Sequence, residues 1–364
     1  MTTRASAHDA LRLAALLLLW GGSGCSCSHN QRGGPGPDAS VSPGDAATSS
    51  FTLYDLGGAA GAEPYGLHVD ADGVYWVQKD GWIYRGTRDG RTAAQRWTSL
   101  RTAYADTFAS DERRLYWFEQ NKLRWKEKAG GLEGEVALPW DHLGGALAVD
   151  DRYVYAAMWG CPAITRVDRQ SLVAEEMYIE GVDAKGASGP TTLLVRDGAF
   201  FCGAWSNVYS VPGWSQPARK LVGSADRVWG MGLVGDDLYW LENPGRSGPR
   251  HPSMSRVSLA TGVVTSFAEE PGQGASNLIL GPDREWFFHT NDVALYAFAR
   301  SRGSFRIALP LDDTKRRVVT YRAGIASDGE ALYYLAQRNN DQEGVFGLDR
   351  IPFSYLQSVL ARSP

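Results

Sequence analysis

The feature that most constrains this chain is a pattern that occurs seven times from residue 64 onward. Each copy has a short apolar segment, a turn rich in Asp and Gly, and a second apolar segment with an aromatic residue. The aromatic positions of the seven copies are Tyr75, Tyr116, Tyr155, Phe200, Tyr239, Trp286 and Tyr333. Successive positions are 39 to 47 residues apart. Self-similarity at this spacing indicates a chain built from repeated supersecondary units.

The segments of each copy have the length and residue alternation of β-strands. In the first copy, Gly66–Asp70 and Val74–Trp76 are the first two strands, and Trp82–Arg85 alternates as a half-buried third strand does. A fourth, outer strand comes before the next copy, as at Val263–Phe267. These units predict an all-β fold, a seven-bladed β-propeller of four-stranded antiparallel blades.

The two ends of the repeat region complement each other. The seventh copy has strands at 324–327, 332–336 and 345–349 but no clear fourth strand, whereas Phe51–Leu56 comes before the first copy and has no partner there. We therefore expect this N-terminal strand to close the ring as the outer strand of the last blade, which leaves no long sheet edge exposed. The predicted propeller covers 51–352, and the predicted C-terminal tail covers 353–364.

Tyr-Trp pairs follow the Asp turns in three copies. The pairs are Tyr75-Trp76, Tyr116-Trp117 and Tyr239-Trp240. They resemble the repeats of YWTD and NHL-type propellers, and more loosely those of strictosidine-synthase-like and lactonase-like propellers. The resemblance is architectural, because the Thr-Asp that completes the YWTD motif is absent, and it carries no binding residues to this chain. We expect the aromatic pairs to pack between adjacent blades.

Residues 1–24 have the pattern of an export signal peptide. Arg4 and Arg12 accompany the apolar run Leu13–Trp20. At about 1.5 Å per residue this run is too short to cross a hydrocarbon core of about 30 Å. A basic start, a short apolar run and small residues after it predict secretion.

The segment Gly22-Ser23-Gly24-Cys25 resembles the lipobox of bacterial lipoproteins. This resemblance implies a lipid on Cys25, and Ser26 in place of Asp implies the outer membrane as the destination. The alternative is a plain secretory signal, which would leave a periplasmic or secreted protein. Residues 25–50 are rich in Gly, Pro and Ser, so they predict a flexible tether between anchor and propeller.

In a propeller, the loops before the inner strands and after the second strands meet at one end of the central channel, where ligands usually bind. The candidate ligand-binding residues in these loops are Trp159, Trp205, Glu119, Glu242, His289, Asp106 and Asn277. The two Trp residues lie outside the packing repeat, and exposed indoles suit stacking on sugars or peptides. The alternative is that they only cover the top of the core.

The sequence contains no complete catalytic signature. It has no Gly-x-Ser-x-Gly elbow, no phosphate-binding loop, no dinucleotide fingerprint and no His pair at metal-ligand spacing. The catalytic residues are therefore unknown, and no cofactor is expected. Lactonase-like propellers hold calcium with Glu, Asn and Asp at inner strand ends. That resemblance implies Asp106, Glu119, Glu242 and Asn277 as a possible Ca²⁺ set.

Cys161 and Cys202 lie near the ends of equivalent strands in neighbouring blades. An oxidising compartment would allow a disulfide between them, although neighbouring strands can also hold them too far apart. The net charge of -4 disfavours binding to nucleic acid. We expect a monomer that binds a protein, peptide or glycan at the cell envelope without catalysis. The alternatives are a metal-assisted hydrolase or lyase, and a scaffold whose mouth is closed by its own loops.

Overall fold

The computed structural model describes most of the repeat region. The described residues are 51–57, 63–99, 107–139, 145–158, 162–180, 190–204, 207–223, 227–243, 253–269, 277–290, 294–310, 317–318, 324–337 and 346–362. All of them belong to one unit that begins at Ser50. The predicted signal peptide, Cys25 and the tether lie outside the described residues.

The first strand is β1 (Thr52–Gly57), and it belongs to the sheet formed by the last strands of the chain. The next three sheets each consist of four consecutive antiparallel strands. Blade 1 has β2 (Pro64–Asp70), β3 (Gly73–Gln78), β4 (Ile83–Gly86) and β5 (Gln95–Arg96). Blade 2 has β6 (Phe108–Ser110), β7 (Arg114–Glu119), β8 (Lys122–Glu127) and β9 (Glu133–Ala137). Blade 3 has β10 (Gly145–Val149), β11 (Tyr153–Met158), β12 (Ala163–Asp168) and β13 (Ala174–Tyr178).

Blades 4 to 6 repeat the same order of strands. Blade 4 has β14 (Pro190–Arg196), β15 (Ala199–Ala204), β16 (Asn207–Val211) and β17 (Arg219–Gly223). Blade 5 has β18 (Arg227–Val234), β19 (Asp237–Asn243), β20 (Ser253–Ser258) and β21 (Val264–Glu269). Blade 6 has β22 (Ile279–Leu280), β23 (Trp286–Thr290), β24 (Ala294–Ala299) and β25 (Ser304–Pro310).

Blade 7 joins the two ends of the propeller. Its own strands are β26 (Arg317–Val318), β27 (Ile325–Ser327), β28 (Ala331–Gln337) and β29 (Phe346–Pro352). β26 and β27 both pair with β28 and share the inner position of the blade. β1 pairs antiparallel with β29 as the outer strand, so the predicted seven-bladed fold and its closure by the N-terminal strand are confirmed.

The segment predicted as a C-terminal tail forms helix α1 (Phe353–Arg362) over most of its length. Phe353, Leu356 and Leu360 recur at helical spacing and are buried against the core between blades 6 and 7. Arg306 on β25 donates a hydrogen bond to the carbonyl of Leu360 at 3.1 Å. Within the described residues, no helix is long and apolar enough to span a membrane.

The recurring aromatic residues fill the space between blades, as the sequence predicted. All six members of the three Tyr-Trp pairs are at most 3% exposed. Tyr75 of blade 1, for example, packs in one cluster with Leu115 and Trp117 of blade 2. Apolar contacts of this kind run from blade to blade, so the core is a set of layers between sheets.

Candidate ligand-binding site

A cavity of about 320 Å³ lies where the seven inner strands meet. Every inner strand contributes to its wall, namely β2, β6, β10, β14, β18, β22 and β27. The inner strands are sheet edges, so they present backbone N–H and C=O groups to this space. Its polar side chains are His68, Thr107, Thr192, Asn277 and Ser327, and Trp229 is its largest aromatic residue.

His68 is the titratable side chain in the wall of this cavity. Its Nε2 atom lies 2.8 Å from the Ser110 hydroxyl, and 3.8 Å from a carboxylate oxygen of Asp70. Burial lowers the pKa of His68 from 6.5 to about 4, and the nearby positive charge of Lys128 acts in the same direction against the opposing charge of Asp70. The imidazole is therefore neutral at pH 7.

The Ser110, His68 and Asp70 side chains do not form a nucleophilic triad. In a Ser-His-Asp triad the serine and the aspartate contact opposite nitrogens of the ring. Here both face Nε2. Burial raises the pKa of Asp70, but its ion pair with Lys128 at 2.7 Å outweighs burial and lowers the pKa overall. The carboxylate is committed to Lys128, and His68 serves as a neutral hydrogen-bonding group.

The sequence-predicted site residues fall in several different places. Asn277 lines the cavity. Glu119 forms an ion pair with Arg124, and Glu242 accepts a hydrogen bond from Trp240 Nε1 at 2.7 Å. Neither of these two carboxylates is part of the cavity wall.

His289 is fully buried inside blade 6. Its ring stacks on Tyr296 with centroids 5.6 Å apart, and it makes a T-shaped contact with the ring of Phe305. It lies in the interior of the blade and does not line the cavity. Asp106, Trp159 and Trp205 lie outside the described residues, so their place at the mouth stays a prediction.

The structure does not bring the described members of the proposed calcium set together. Asn277 is in the cavity wall, whereas Glu119 and Glu242 make the contacts given above. Among the described residues, no three His, Cys, Asp or Glu side chains are close enough to hold a metal ion. Asp106, the fourth member of the set, lies outside them.

Cys202 is fully buried on β15, and burial raises the pKa of its thiol to about 12. Cys161 lies outside the described residues, so the predicted disulfide stays a prediction. Cys25, the predicted lipid site, lies outside them as well.

Sequence reasoning missed His68 and Thr107 because it looked for ligand-binding residues in loops. The available signal was a polar residue on an inner strand, since His68 interrupts the apolar segment Gly66–Val69. In an ordinary sheet such a residue would face solvent. In a propeller the inner strand faces the central channel instead, so position in the ring decides what the residue does.

The Asp residues of the repeat lie at the opposite end of the strands from the mouth loops. Asp111 Oδ1 accepts hydrogen bonds from the backbone N–H groups of Arg113 at 2.7 Å and Arg114 at 2.6 Å. Its Oδ2 accepts the Tyr116 hydroxyl at 2.7 Å. Asp150 with Tyr155 and Asp328 with Tyr333 repeat this arrangement, at 2.6 Å and 2.9 Å. We call each such set an Asp–Tyr pair.

A cation from the following blade reaches three of the repeat Asp residues. The ion pairs are Arg88 with Asp328 at 3.1 Å, Lys128 with Asp70 at 2.7 Å, and Arg169 with Asp111 at 2.6 Å. We call these the inter-blade ion pairs. Burial raises the pKa of Asp111 and Asp328, but the hydrogen bonds and cations at each site outweigh burial, so both pKa values are lowered.

The architecture and the central cavity define a seven-bladed β-propeller with a polar channel. No protein-family model matches the chain, and no curated protein matches its sequence. Solved structures similar to it include the Pan2 WD40 domain of Neurospora crassa (TM-score 0.58, 9% identity, 79% of this chain and 88% of that chain). They also include U3-55K (TM-score 0.58, 12% identity, 82% of this chain and 98% of that chain).

A third similar structure is the extracellular domain of the putative hybrid two component system BT4673 from B. thetaiotaomicron. Its TM-score is 0.59 at 10% identity, over 82% of this chain and 40% of that chain. At these identities the likeness shows the fold alone. Function has to be argued from the residues of this chain.

Proposed function

We propose that this protein is a non-catalytic binding protein at the bacterial cell envelope, and that part of its ligand enters the central cavity. The observation that supports this is a cavity lined by all seven inner strands, with five polar side chains in its wall. Ligand pockets span roughly 300–1,000 Å³, so about 320 Å³ suits a single side chain or sugar ring. The rest of a larger ligand would contact the mouth loops, where Trp159 and Trp205 are predicted.

The lining favours a neutral, polar group of a glycan or peptide. None of the described residues in the cavity wall is Asp, Glu, Lys or Arg. His68 is neutral at pH 7, because its pKa is lowered to about 4. Hydroxyl, amide and imidazole groups can hydrogen-bond sugar hydroxyls or an amide side chain, and Trp229 adds an apolar surface.

The test is a screen of the purified full-length protein on arrays of neutral glycans and short peptides, followed by titration of each hit. His68→Gln and Asn277→Ala should each lower the affinity about tenfold, since the first replaces the imidazole by an amide of different shape and the second removes the polar group. Thr261→Ala, at an exposed turn of blade 5, is the matched control and should bind normally. Hits that bind both cavity variants with unchanged affinity would contradict the cavity as the binding site.

The predicted signal peptide and lipobox support a location at the outer membrane through a lipid on Cys25. Cells expressing the protein are grown with an alkyne-tagged fatty acid, and the protein is then isolated and the tag detected. Cys25→Ser should abolish the label and move the protein to the soluble fraction, whereas Cys27→Ser should keep both the label and the membrane fraction. An unlabelled wild-type protein would leave the secreted or periplasmic alternative, and a label that persists on Cys25→Ser would contradict Cys25 as the lipid site.

A further inference from the structure

The boundary between blades 3 and 4 differs from the three boundaries before it. Asp150 makes the same bonds as its counterparts, with the Arg152 and Tyr153 backbone N–H groups at 2.8 Å and 2.7 Å and with the Tyr155 hydroxyl. The three other repeat Asp residues each receive a cation from the next blade. Within the described part of the chain, Asp150 forms no ion pair.

Gly213 explains why blade 4 supplies no cation. The N–H groups of Lys128 and Arg169 bond to the carbonyls of the turn residues Arg113 and Arg152, at 2.8 Å and 2.9 Å. In the register of blade 4, the residue opposite the corresponding turn position, Gly198, is Gly213. Glycine has no side chain, so blade 4 has no cation at this place.

A groove of about 660 Å³ occupies this boundary, and we call it the blade 3–4 groove. Its wall includes Asp150, Tyr153, Tyr155, Arg166, Phe200 and Trp214. The guanidinium of Arg166 lies 4.4 Å from the centre of the Tyr153 ring and 4.3 Å from that of Trp214. The groove therefore already holds one cation against aromatic rings.

The charge balance of the groove is negative. Arg166 forms a salt bridge with Glu175, and its Nε donates to that carboxylate at 2.8 Å. Arg152, the other cation in the wall, pairs with Asp168 at 3.1 Å. The wall also contains Asp151 and Asp197, both exposed. The two cations are thus neutralised by carboxylates outside the groove, and its own carboxylates remain to attract a positive ligand.

We propose that the blade 3–4 groove binds an arginine side chain of a protein partner, with its guanidinium on Asp150. The ligand would occupy the place that Arg169 and Lys128 fill at the two preceding boundaries. A guanidinium suits this groove because it pairs with a carboxylate and also stacks on aromatic rings, as Arg166 does. The site lies at the strand ends opposite the mouth, so it is separate from the proposed cavity ligand.

The test uses the full-length protein and two matched peptides, acetyl-Gly-Arg-Gly-amide and its citrulline counterpart. Citrulline has the same shape as arginine but no charge. The probe signal is the indole N–H resonance of Trp214, assigned by its loss in Trp214→Phe. The arginine peptide should shift this resonance to saturation, and the citrulline peptide should produce less than a tenth of that shift at the same concentration.

Three variants locate the binding. Asp150→Asn keeps an oxygen for the turn N–H groups but removes the charge, and it should weaken binding at least fivefold. Gly213→Arg should abolish binding, because the chain's own guanidinium then occupies the site, and a side chain at Gly213 meets only Gln216 at 3.7 Å. Asp328→Asn is the matched control, since Arg88 already fills its site, and it should leave the affinity unchanged.

Each outcome decides the proposal once a cooperative thermal transition has shown that the variants are folded. Equal shifts with both peptides, an unshifted Trp214 resonance, or unchanged affinity in Asp150→Asn would overturn it. If Gly213→Arg does not fold, Asp150→Asn decides alone. His68→Gln and Asn277→Ala should bind the arginine peptide normally, so failure of the cavity proposal and failure of this one are distinguishable.

Discussion

Blades 7, 1, 2 and 3 are joined by inter-blade ion pairs, and we call them the ion-paired arc. Blades 4 to 7 are joined largely by apolar contacts, beside one longer ion pair of Arg196 with Asp236 at 3.8 Å, and we call them the apolar arc. The residue that begins the turn between the first two strands is Asp in the ion-paired arc, and it is Arg196, Val234 and Gly281 in blades 4, 5 and 6. The residue that follows the third strand of each blade also differs between the two arcs. This residue is Lys128 or Arg169 at boundaries of the ion-paired arc, and it is Leu259 in blade 5 and Phe353 in blade 7, which face boundaries of the apolar arc.

The backbone is the same in both arcs. Leu259 and Phe353 donate to the carbonyls of Asp236 and Glu330 at 2.7 Å and 3.0 Å, as Lys128 does at 2.8 Å to the carbonyl of Arg113. The fold therefore accepts either chemistry at a boundary between blades. Blades 5 and 6 form an intermediate case, because Arg300 lies 3.3 Å from the Tyr239 hydroxyl.

The largest expected effect is at the apolar boundary between blades 6 and 7. Phe353 is buried there, and its ring centroid is 5.5 Å from that of Phe288. Phe353→Ala should lower the free energy of unfolding by about 4 kcal/mol, the cost of a large cavity in a packed core. Urea denaturation followed by Trp fluorescence measures it, and the loss should be the same at 0.05 M and 1 M NaCl.

The control for Phe353→Ala is Val263→Ala, because Val263 is 61% exposed. It should change the free energy of unfolding by no more than about 0.5 kcal/mol. A similarly small effect of Phe353→Ala would mean that helix α1 does not contribute to this boundary.

The next largest effect concerns an inter-blade ion pair. The Asp111 side chain is only 3% exposed, so Arg169→Ala leaves a buried carboxylate without its cation. We expect a loss of about 3 kcal/mol in urea denaturation. Arg152→Ala is the control, since Arg152 is 72% exposed, and it should cost at most about 1 kcal/mol.

Replacing both residues of the ion pair between Asp111 and Arg169 tests whether an apolar contact can take the place of an ion pair at a blade boundary. Asp111→Leu combined with Arg169→Leu should recover more than half of the loss, because an apolar pair is what the other arc uses at these boundaries. If the double variant is less stable than Arg169→Ala, the two chemistries are not interchangeable.

Only one side of each inter-blade ion pair could be predicted from the sequence. The Asp and the Tyr of an Asp–Tyr pair are five residues apart, so the blade count and the turn positions were readable from spacing alone. Arg169 is 58 residues from Asp111, and no local pattern connects them. Helix α1 was readable in the spacing of Phe353, Leu356 and Leu360, but a short segment after the last repeat gave no reason to expect a buried face.

The cavity was only partly predictable for a similar reason. Asn277 was identified from its position before an inner strand, and the structure places it in the cavity wall. Glu119 and Glu242 occupy comparable loop positions, yet their partners Arg124 and Trp240 hold them elsewhere. Side-chain partners of this kind depend on register across strands, which loop position does not specify.

Acid should weaken the ion-paired arc selectively. Folding holds the pKa of His68 at about 4 instead of 6.5, so the unfolded chain takes up the proton first as pH falls between these values. The free energy of unfolding should drop by about 3 kcal/mol over this range. The lowered pKa values of Asp111 and Asp328 add stability above the ordinary carboxyl range, which is lost as pH falls further.

Urea denaturation at several pH values between 7 and 3 measures this profile. His68→Gln should flatten the part between pH 6.5 and 4 and keep the loss below pH 4. Phe353→Ala, in the apolar arc, should shift the whole profile down without changing its shape. A wild-type profile in His68→Gln would show that another group is responsible.

The smallest effect should come from giving the boundary between blades 3 and 4 the cation that it lacks. Gly213→Arg places a guanidinium beside Asp150, but it also replaces a glycine, which changes stability by about 0.4–1 kcal/mol through the unfolded chain. Gly213→Ala carries that effect without the charge. Gly213→Arg should therefore be more stable than Gly213→Ala by about 0.5–1 kcal/mol, as expected for a partly exposed ion pair. In the Asp150→Asn background the difference should vanish. A difference that persists there would mean that the arginine packs on the aromatic wall alone, and that charge agreement between blades is not what distinguishes the two arcs.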